Sequence, residues 1–192
     1  MKISQKAQLC SLSPMRKFTP FAMAAEASGK KIYKLNIGQP DIETPPEFFE
    51  AVRNFSQKVL AYANSQGTEF MLQTVVDYYK RIGVEYTKQD ILITTGGSEA
   101  LQILFLCILD EGSEVIIPEP FSSNYNTFIK AAGGVIRPMP TYPEEDYNYA
   151  KPEALEALVN EKTRAIAIIN PHNPTGNVLT EAELRSIADV AK

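Results

Sequence analysis

The residues best suited to chemistry form one short segment, Gly96-Gly97-Ser98-Glu99, between an apolar run (91–95) and a long apolar pattern with helical spacing. Two successive glycines let the backbone turn sharply and approach a ligand closely. The N–H groups that open a helix attract anions, and Ser98, as the predicted N-cap, offers a hydroxyl to a phosphate oxygen. The segment therefore predicts a strand, a tight turn and a phosphate-binding helix start, although many α/β proteins have such a turn and bind nothing there.

Two more polar segments follow predicted strands, which strengthens this hypothesis. The first, 118–125, ends the buried run EVIIP (114–118), and the second, 170–176, ends the apolar run 164–170. In parallel sheets, ligands bind beyond the carboxyl ends of the strands. The segments 95–99, 118–125 and 170–176 should therefore lie on one side of the sheet.

The remaining pattern alternates strands with helices. A further strand is predicted at 135–139 and a short one around Leu35 and Ile37, while residues 1 to about 34 resemble an arm without clean periodicity. Helices are predicted at 23–28, from Pro45-Pro46, after Thr68, at 125–132, from Pro152 and from the capping box Thr180–Glu183. The apolar stripe of the helix after Thr68 (Phe70, Met71, Val75, Tyr78, Tyr79) is expected to pack in a core. Short strands that are apolar on both faces favour an α/β fold with a mostly parallel sheet.

Composition excludes several classes of protein. A net charge of −4 and a pI near 5.2 give no basic footprint for nucleic acid. No apolar stretch reaches the roughly 20 residues that span a membrane, and the N-terminal segment lacks the apolar core of a secretion signal. Cys10 and Cys107 are predicted to be reduced thiols of a cytoplasmic protein. We predict no metal site.

Five motifs, in order, resemble the class I/II aminotransferases, the fold type I enzymes that use pyridoxal phosphate. The resemblance covers residues from about 33 to 192, and the last motif is the most specific. The motifs are Asn36-Ile37-Gly38-Gln39-Pro40-Asp41, then Tyr62 with Gly67, Thr95-Gly96-Gly97-Ser98-Glu99-Ala100-Leu101, Pro118-Glu119-Pro120-Phe121 and Asn170-Pro171-His172-Asn173-Pro174-Thr175-Gly176.

The resemblance implies an α/β three-layer sandwich that forms an incomplete large domain with an N-terminal arm. The implied boundaries are 1–45 for the arm and a small-domain segment, and 46–192 for the partial pyridoxal-phosphate-binding domain. It assigns the phosphate cradle to Gly97, Ser98 and Glu99. It also implies a homodimer in which the Tyr62 hydroxyl reaches the cofactor phosphate of the neighbouring subunit. Without the family, Tyr62 would be interpreted as a half-buried loop aromatic.

The resemblance also assigns residues to the cofactor ring and the substrate. Asn173 would donate its amide to the phenolic oxygen of the ring and contact substrate, and Gly38 would lie by the substrate carboxylate. Phe121 is the candidate for stacking on the ring, because the family's usual aromatic position holds Ser122 here. Asn173-Pro174 is a candidate cis peptide bond. Taken alone, Asn173 is a turn residue before proline. His172 is assigned no catalytic part.

The family's Schiff-base lysine, its pyridine-binding aspartate and its carboxylate-binding arginine all follow the Asn173 loop, and Lys192 is not assigned that lysine's role. The predicted activity is aminotransfer between an amino acid and a 2-oxo acid, with this chain alone inactive.

Three alternatives remain open. One is a carbon–sulfur or cyclopropane-forming lyase on the same scaffold. Another is a ligand-sensing domain, which the lack of a basic helix-turn-helix segment before residue 33 disfavours. The third is a dimerisation fragment.

Overall fold

The computed structural model describes residues 2–10 and 13–192. The chain divides into two compact units, one formed by Met1–Phe18 with Gly96–Lys192 and the other by Thr19–Thr95. Residues 1, 11 and 12 of the predicted arm lie outside the described part. No helix in the described ranges is long and apolar enough to cross a membrane.

The first unit is built on a parallel sheet of three strands in the order β2-β1-β3. The strands are β1 (Glu114–Glu119), β2 (Val135–Pro140) and β3 (Thr163–Ile166). Its helices are α1 (Gln5–Leu9), α5 (Gly97–Ile108), α6 (Asn124–Ala131), α7 (Pro152–Glu156) and α8 (Glu181–Val190). Short 3-10 helices lie at Arg16–Phe18 and Pro143–Glu145. The predicted parallel α/β architecture is confirmed.

Alternate side chains of β1 pack into two separate cores. Val115 joins Phe105 and Leu109 with residues of α6 on one face of the sheet. Ile116 joins Tyr149, with Met139, Leu155, Leu179 and Ile187, on the other face. Because successive side chains of a strand point to opposite faces, β1 lies between two helical layers, which is the predicted three-layer sandwich.

Helix α5 runs from the carboxyl edge of the sheet toward the amino edge. Its C-cap, Leu109, lies beside Gly134 at the start of β2, where an added Cβ would stand 2.7 Å from Leu109 Cδ1. One turn closer to the amino end of the helix, the Phe105 ring packs against the ring of Tyr125, near the start of α6, with ring centroids 6.4 Å apart. A helix of this length spans about 18 Å, close to the length of β1. The amino end of α5 therefore lies level with the carboxyl ends of the strands.

The second unit contains α2 (Thr19–Ala27), α3 (Pro46–Arg53), α4 (Glu69–Arg81) and a 3-10 helix at Lys88–Asp90. Thr68 caps α4 as predicted, with its hydroxyl accepting from the Met71 N–H at 3.3 Å. The predicted core role of the α4 stripe is wrong for part of it. Phe70, Met71 and Tyr78 are exposed, because within this unit α4 buries only Leu72.

Two predicted strands of the second unit are wrong. Residues 91–95 and the Leu35–Ile37 segment form no strand in the described structure. A strand requires a neighbour that exchanges backbone hydrogen bonds with it. The Ile93 N–H instead donates to the Gln66 carbonyl at 2.9 Å, which fixes the segment to a loop.

Some predicted boundaries also changed. Helix α5 begins at Gly97 with Gly96 as its N-cap, so Ser98 lies inside the first turn and is not the N-cap. Strand β3 ends at Ile166, well before the predicted 170. Helix α1 forms within the arm, where its Ser4 hydroxyl accepts from the Ala7 N–H at 3.2 Å.

Truncating Phe105 tests the α5–sheet core. Phe105→Ala removes a ring that is 2% exposed and should lower the free energy of unfolding by about 3–5 kcal/mol. The matched control is Leu104→Ala on the same helix, where the side chain is 49% exposed and the loss should stay below about 1 kcal/mol. Urea unfolding followed by circular dichroism measures both, and equal losses would show that α5 packs through another face.

The glycine pair offers a second test. Gly96 has a φ of +141° and a ψ of 175°, a conformation that essentially only glycine adopts, whereas Gly97 is helical. Gly96→Ala should therefore cost about 1–3 kcal/mol, and Gly97→Ala, in the first turn with no atom within 4 Å of its added Cβ, should be neutral or stabilising. Paired urea titrations make the comparison; the reverse order of stability would contradict this turn.

Candidate functional site

The candidate site lies at the carboxyl edge of the first unit's sheet. The segment that leaves β1 carries Phe121, and the segment that follows β3 carries Asn173. Both strands are parallel, so these segments emerge on the same side. The amino end of α5 is level with that edge. Phe121 and Asn173 thus leave the sheet on one side of the first unit, and the length of α5 puts Gly97, Ser98 and Glu99 level with that side. Their roles at a shared site stay predictions.

The start of α5 is open to an anion. Gly97, Ser98 and Glu99 are exposed and form the first helical turn. Apart from the adjacent residues and the helix's own backbone, no atom of the described residues lies within 4 Å of a Cβ built on Gly96 or Gly97, so a ligand can approach this backbone closely. The first N–H groups of a helix have no partner within the helix, and the helix dipole adds positive potential there. This arrangement fits a phosphate group.

The loop 170–177 presents Asn173 to solvent. The loop is closed by two backbone hydrogen bonds of 2.8 Å, from His172 N–H to the Asn177 carbonyl and from Gly176 N–H to the His172 carbonyl. The Asn170 side chain also accepts from the Leu179 N–H at 2.9 Å. Asn173 itself is exposed, and the predicted cis bond to Pro174 is confirmed. An exposed amide on a closed turn can meet a bound ring.

The residue before Asn173, His172, is buried. His172 is 5% exposed, and its Nδ1 lies 2.9 Å from Thr175 Oγ1. Its ring packs on Tyr149 with centroids 5.2 Å apart, and burial lowers the pKa of the imidazole. Sequence reasoning assigned His172 no part. The available signal was a lone histidine directly before Asn173, in a motif with a hydroxyl three residues later.

Phe121 stands where β1 leaves the sheet. Its side chain is half-buried, as are those of Ser122 and Ser123. The Glu119 carbonyl just before it accepts a hydrogen bond from the Thr141 hydroxyl, which ties this exit to the segment after β2. A half-buried aromatic at this edge suits stacking on a flat ring, so the residues present fit the ring as well as the phosphate.

Gly38 and Tyr62 belong to the second unit, and their predicted roles stay predictions. Both are exposed, and no atom lies within 4 Å of a Cβ built on Gly38. Tyr62 is fully exposed, so its interpretation as a half-buried loop aromatic is wrong. Within residues 2–10 and 13–192, no cluster of three or more His, Cys, Asp or Glu side chains is arranged to hold a metal ion.

Comparison with known proteins agrees with this geometry. The sequence profile of the family described as aminotransferase class I and II matches residues 30–192. An aspartate aminotransferase of Bacillus subtilis (strain 168) is 35% identical, with 99% of this chain and 49% of that protein covered. A probable aspartate/prephenate aminotransferase of Thermus aquaticus is 35% identical, with 88% and 45% covered.

Solved structures show the same fold. The aspartate aminotransferase of Thermus thermophilus with maleate superposes with a TM-score of 0.90 at 30% identity, covering 100% of this chain and 50% of that one. An alanine aminotransferase from Pyrococcus furiosus gives 0.89 at 30% identity, covering 99% and 49%. The chain spans about half the length of the curated relatives it matches.

The exposed start of α5, the exposed Asn173 on its closed loop and the match over residues 30–192 are all consistent with one family. The chain has the fold of the fold type I enzymes over about half the length of these relatives, and it belongs to the class I and II aminotransferases.

Proposed function

We propose that this chain forms the cofactor-phosphate half of a pyridoxal-phosphate-dependent aminotransferase, which transfers an amino group between an amino acid and a 2-oxo acid. The proposal is supported by the parallel pairing of β1 with β3, which brings the Asn173 loop to the carboxyl edge of the sheet, and by the length of α5, which puts its exposed start level with that edge. The relatives named for aspartate make aspartate the first amino acid to test.

The first turn of α5 would form the phosphate-binding site. Backbone N–H groups of Gly97, Ser98 and Glu99 would donate to phosphate oxygens, and the Ser98 hydroxyl would add a further donor. Gly97 contributes by having no side chain, and the described residues beyond its neighbours and its own helix leave the space beside it open. Tyr62 of a neighbouring subunit is proposed to complete this site in a homodimer, located in the cytoplasm.

Phe121 and the Asn173 loop are the parts of this chain that would contact the ring. When bound, pyridoxal phosphate supplies an electron-withdrawing ring that stabilises negative charge on the substrate's α-carbon. The Asn173 amide would donate to the phenolic oxygen, and this contact would favour the ionised form of that oxygen. The same side chain contacts substrate, and the Gly38 backbone is proposed to lie by the substrate carboxylate.

Proton transfer at the substrate requires a lysine, and we assign this role to no lysine of this chain. The lysines of the described ranges include none assigned to the ring by the family's motif order. Full activity is therefore proposed for a protein of the relatives' length, and the 192-residue chain alone is proposed to bind without catalysis.

Removing the Ser98 hydroxyl should weaken cofactor binding selectively. Ser98→Ala removes one hydrogen bond to a charged group and should lower the affinity for pyridoxal phosphate about tenfold, with little effect on pyridoxal, which lacks the phosphate. Equilibrium dialysis of both ligands measures the difference. The control is Ser186→Ala, which removes only a hydroxyl bonded to the Glu183 carbonyl within α8. Equal loss for the two ligands would place the phosphate elsewhere.

Borohydride reduction tests whether this chain has a covalent lysine site. The polypeptide is incubated with pyridoxal phosphate, reduced and analysed by intact and peptide mass. We expect no adduct, or scattered low-level labelling of several lysines. One stoichiometric adduct on a single lysine would show that the chain carries a working anchor and would overturn the proposed inactivity.

A further inference from the structure

We propose that neutral His172 is a positioning residue for the cofactor ring: its Nδ1 accepts the Thr175 hydroxyl and so holds the loop in the conformation that presents Asn173. The inference rests on the proposed function, because it concerns how Asn173 meets the ring. It adds a role for a residue that makes no cofactor contact of its own.

The direction of the His172–Thr175 hydrogen bond is part of the proposal. Thr175 Oγ1 lies 2.9 Å from Nδ1 and also accepts weakly from the Asn177 N–H at 3.4 Å. A hydroxyl carries one hydrogen and should donate it. Nδ1 is then the acceptor and Nε2 carries the ring hydrogen. In this arrangement the hydrogen on Nε2 is buried and has no hydrogen-bond partner among the described residues. In the opposite arrangement the Thr175 hydrogen would lose Nδ1 as its partner, so the tautomer is the part of the proposal that is tested first.

Tyr149 fixes the other side of the imidazole. Its ring packs on His172 at 5.2 Å with an interplanar angle of 51°, and its hydroxyl donates to the Ile169 carbonyl at 3.0 Å. The Asn177 side chain donates to the Asp146 carbonyl at 2.9 Å. The imidazole is thus held between the loop and the 143–150 segment, so a change in its bonding is transmitted to Asn173, the next residue.

The surroundings keep the imidazole neutral. Burial lowers the pKa of His172 and raises that of Tyr149, which the Glu183 carboxylate raises further. That carboxylate is engaged by Thr180 and by Asn148 Nδ2 at 3.0 Å, and Asp146 meets this region through its backbone. None of these groups forms an ion pair with His172 in the described structure. A proton on His172 would therefore place an unpaired charge in a buried site and leave Nδ1 unable to accept.

Nuclear magnetic resonance can test the tautomer directly, since His172 is the only histidine in the sequence. Long-range ¹H–¹⁵N correlation of the imidazole should show the hydrogen on Nε2 and an unprotonated Nδ1.

The ring should stay neutral at and below pH 6.5, the ordinary pKa of histidine. Because the unfolded chain then binds the proton first, the free energy of unfolding should fall as pH drops below about 6.5. Hydrogen on Nδ1, or a charged ring at pH 6.5, would overturn the proposal.

Three substitutions separate positioning from simple packing. An asparagine places its amide near Nδ1 and a glutamine places it near Nε2, so His172→Asn should keep the Thr175 bond and His172→Gln should lose it. His172→Gln should bind pyridoxal phosphate roughly five- to tenfold more weakly, and Thr175→Val should match it. His172→Asn should stay within about twofold of the natural chain. Thr175→Ser retains the hydroxyl and should behave like the natural chain.

A second readout does not use the cofactor. The side-chain amide signals of Asn173, assigned by their loss in Asn173→Ala, should shift in His172→Gln and stay in place in His172→Asn. Equal behaviour of the two His172 variants in both readouts would overturn the positioning role. A natural chain that fails to bind pyridoxal phosphate would instead overturn the proposed function, and the Asn173 signals alone would then decide whether His172 holds the loop.

Discussion

Parallel pairing of β1 with one strand on each side is the interaction on which the first unit depends. Val115, Ile116 and Ile117 are fully buried; all three are paired with β2, and Val115 and Ile116 are also paired with β3. Since successive side chains enter different helical layers, losing this strand would separate both cores at once. The same pairing gives the carboxyl ends of the strands a common edge, so the core and the candidate site have one structural origin.

The Asn173 loop shows how exposure and burial alternate at that edge. Asn173 faces solvent, while His172 directly before it is sealed under Tyr149. The position of the exposed Asn173 amide depends on the buried residue next to it. That residue is His172, and the hydrogen-bond partner of its imidazole is the Thr175 hydroxyl. Such an arrangement keeps the amide accessible without leaving the loop free to collapse.

The sequence predicted best where local chemistry and packing agree. The Thr180–Glu183 capping box forms as expected, with the Thr180 N–H and hydroxyl both donating to the Glu183 carboxylate. Helix α5 and strand β1 were likewise visible as apolar runs, the helix after Gly96-Gly97 and the strand between Gly112 and Pro118. The run 91–95 has the composition of a strand, but composition cannot supply a pairing partner. The burial of His172 depends on Tyr149, which is distant in sequence, so no local pattern reveals it.

The two borders of the sheet differ in what they can accept. The Val135 N–H points at Ser113, next to β1, and alternate residues of a strand point the same way. Pro138 and Pro140 therefore occupy outward-facing positions of β2, where each removes a backbone donor. Strand β3 contains no proline. An additional strand, from another segment or another molecule, would consequently pair with β3. The prolines of β2 disfavour the pairing of a further strand on that side.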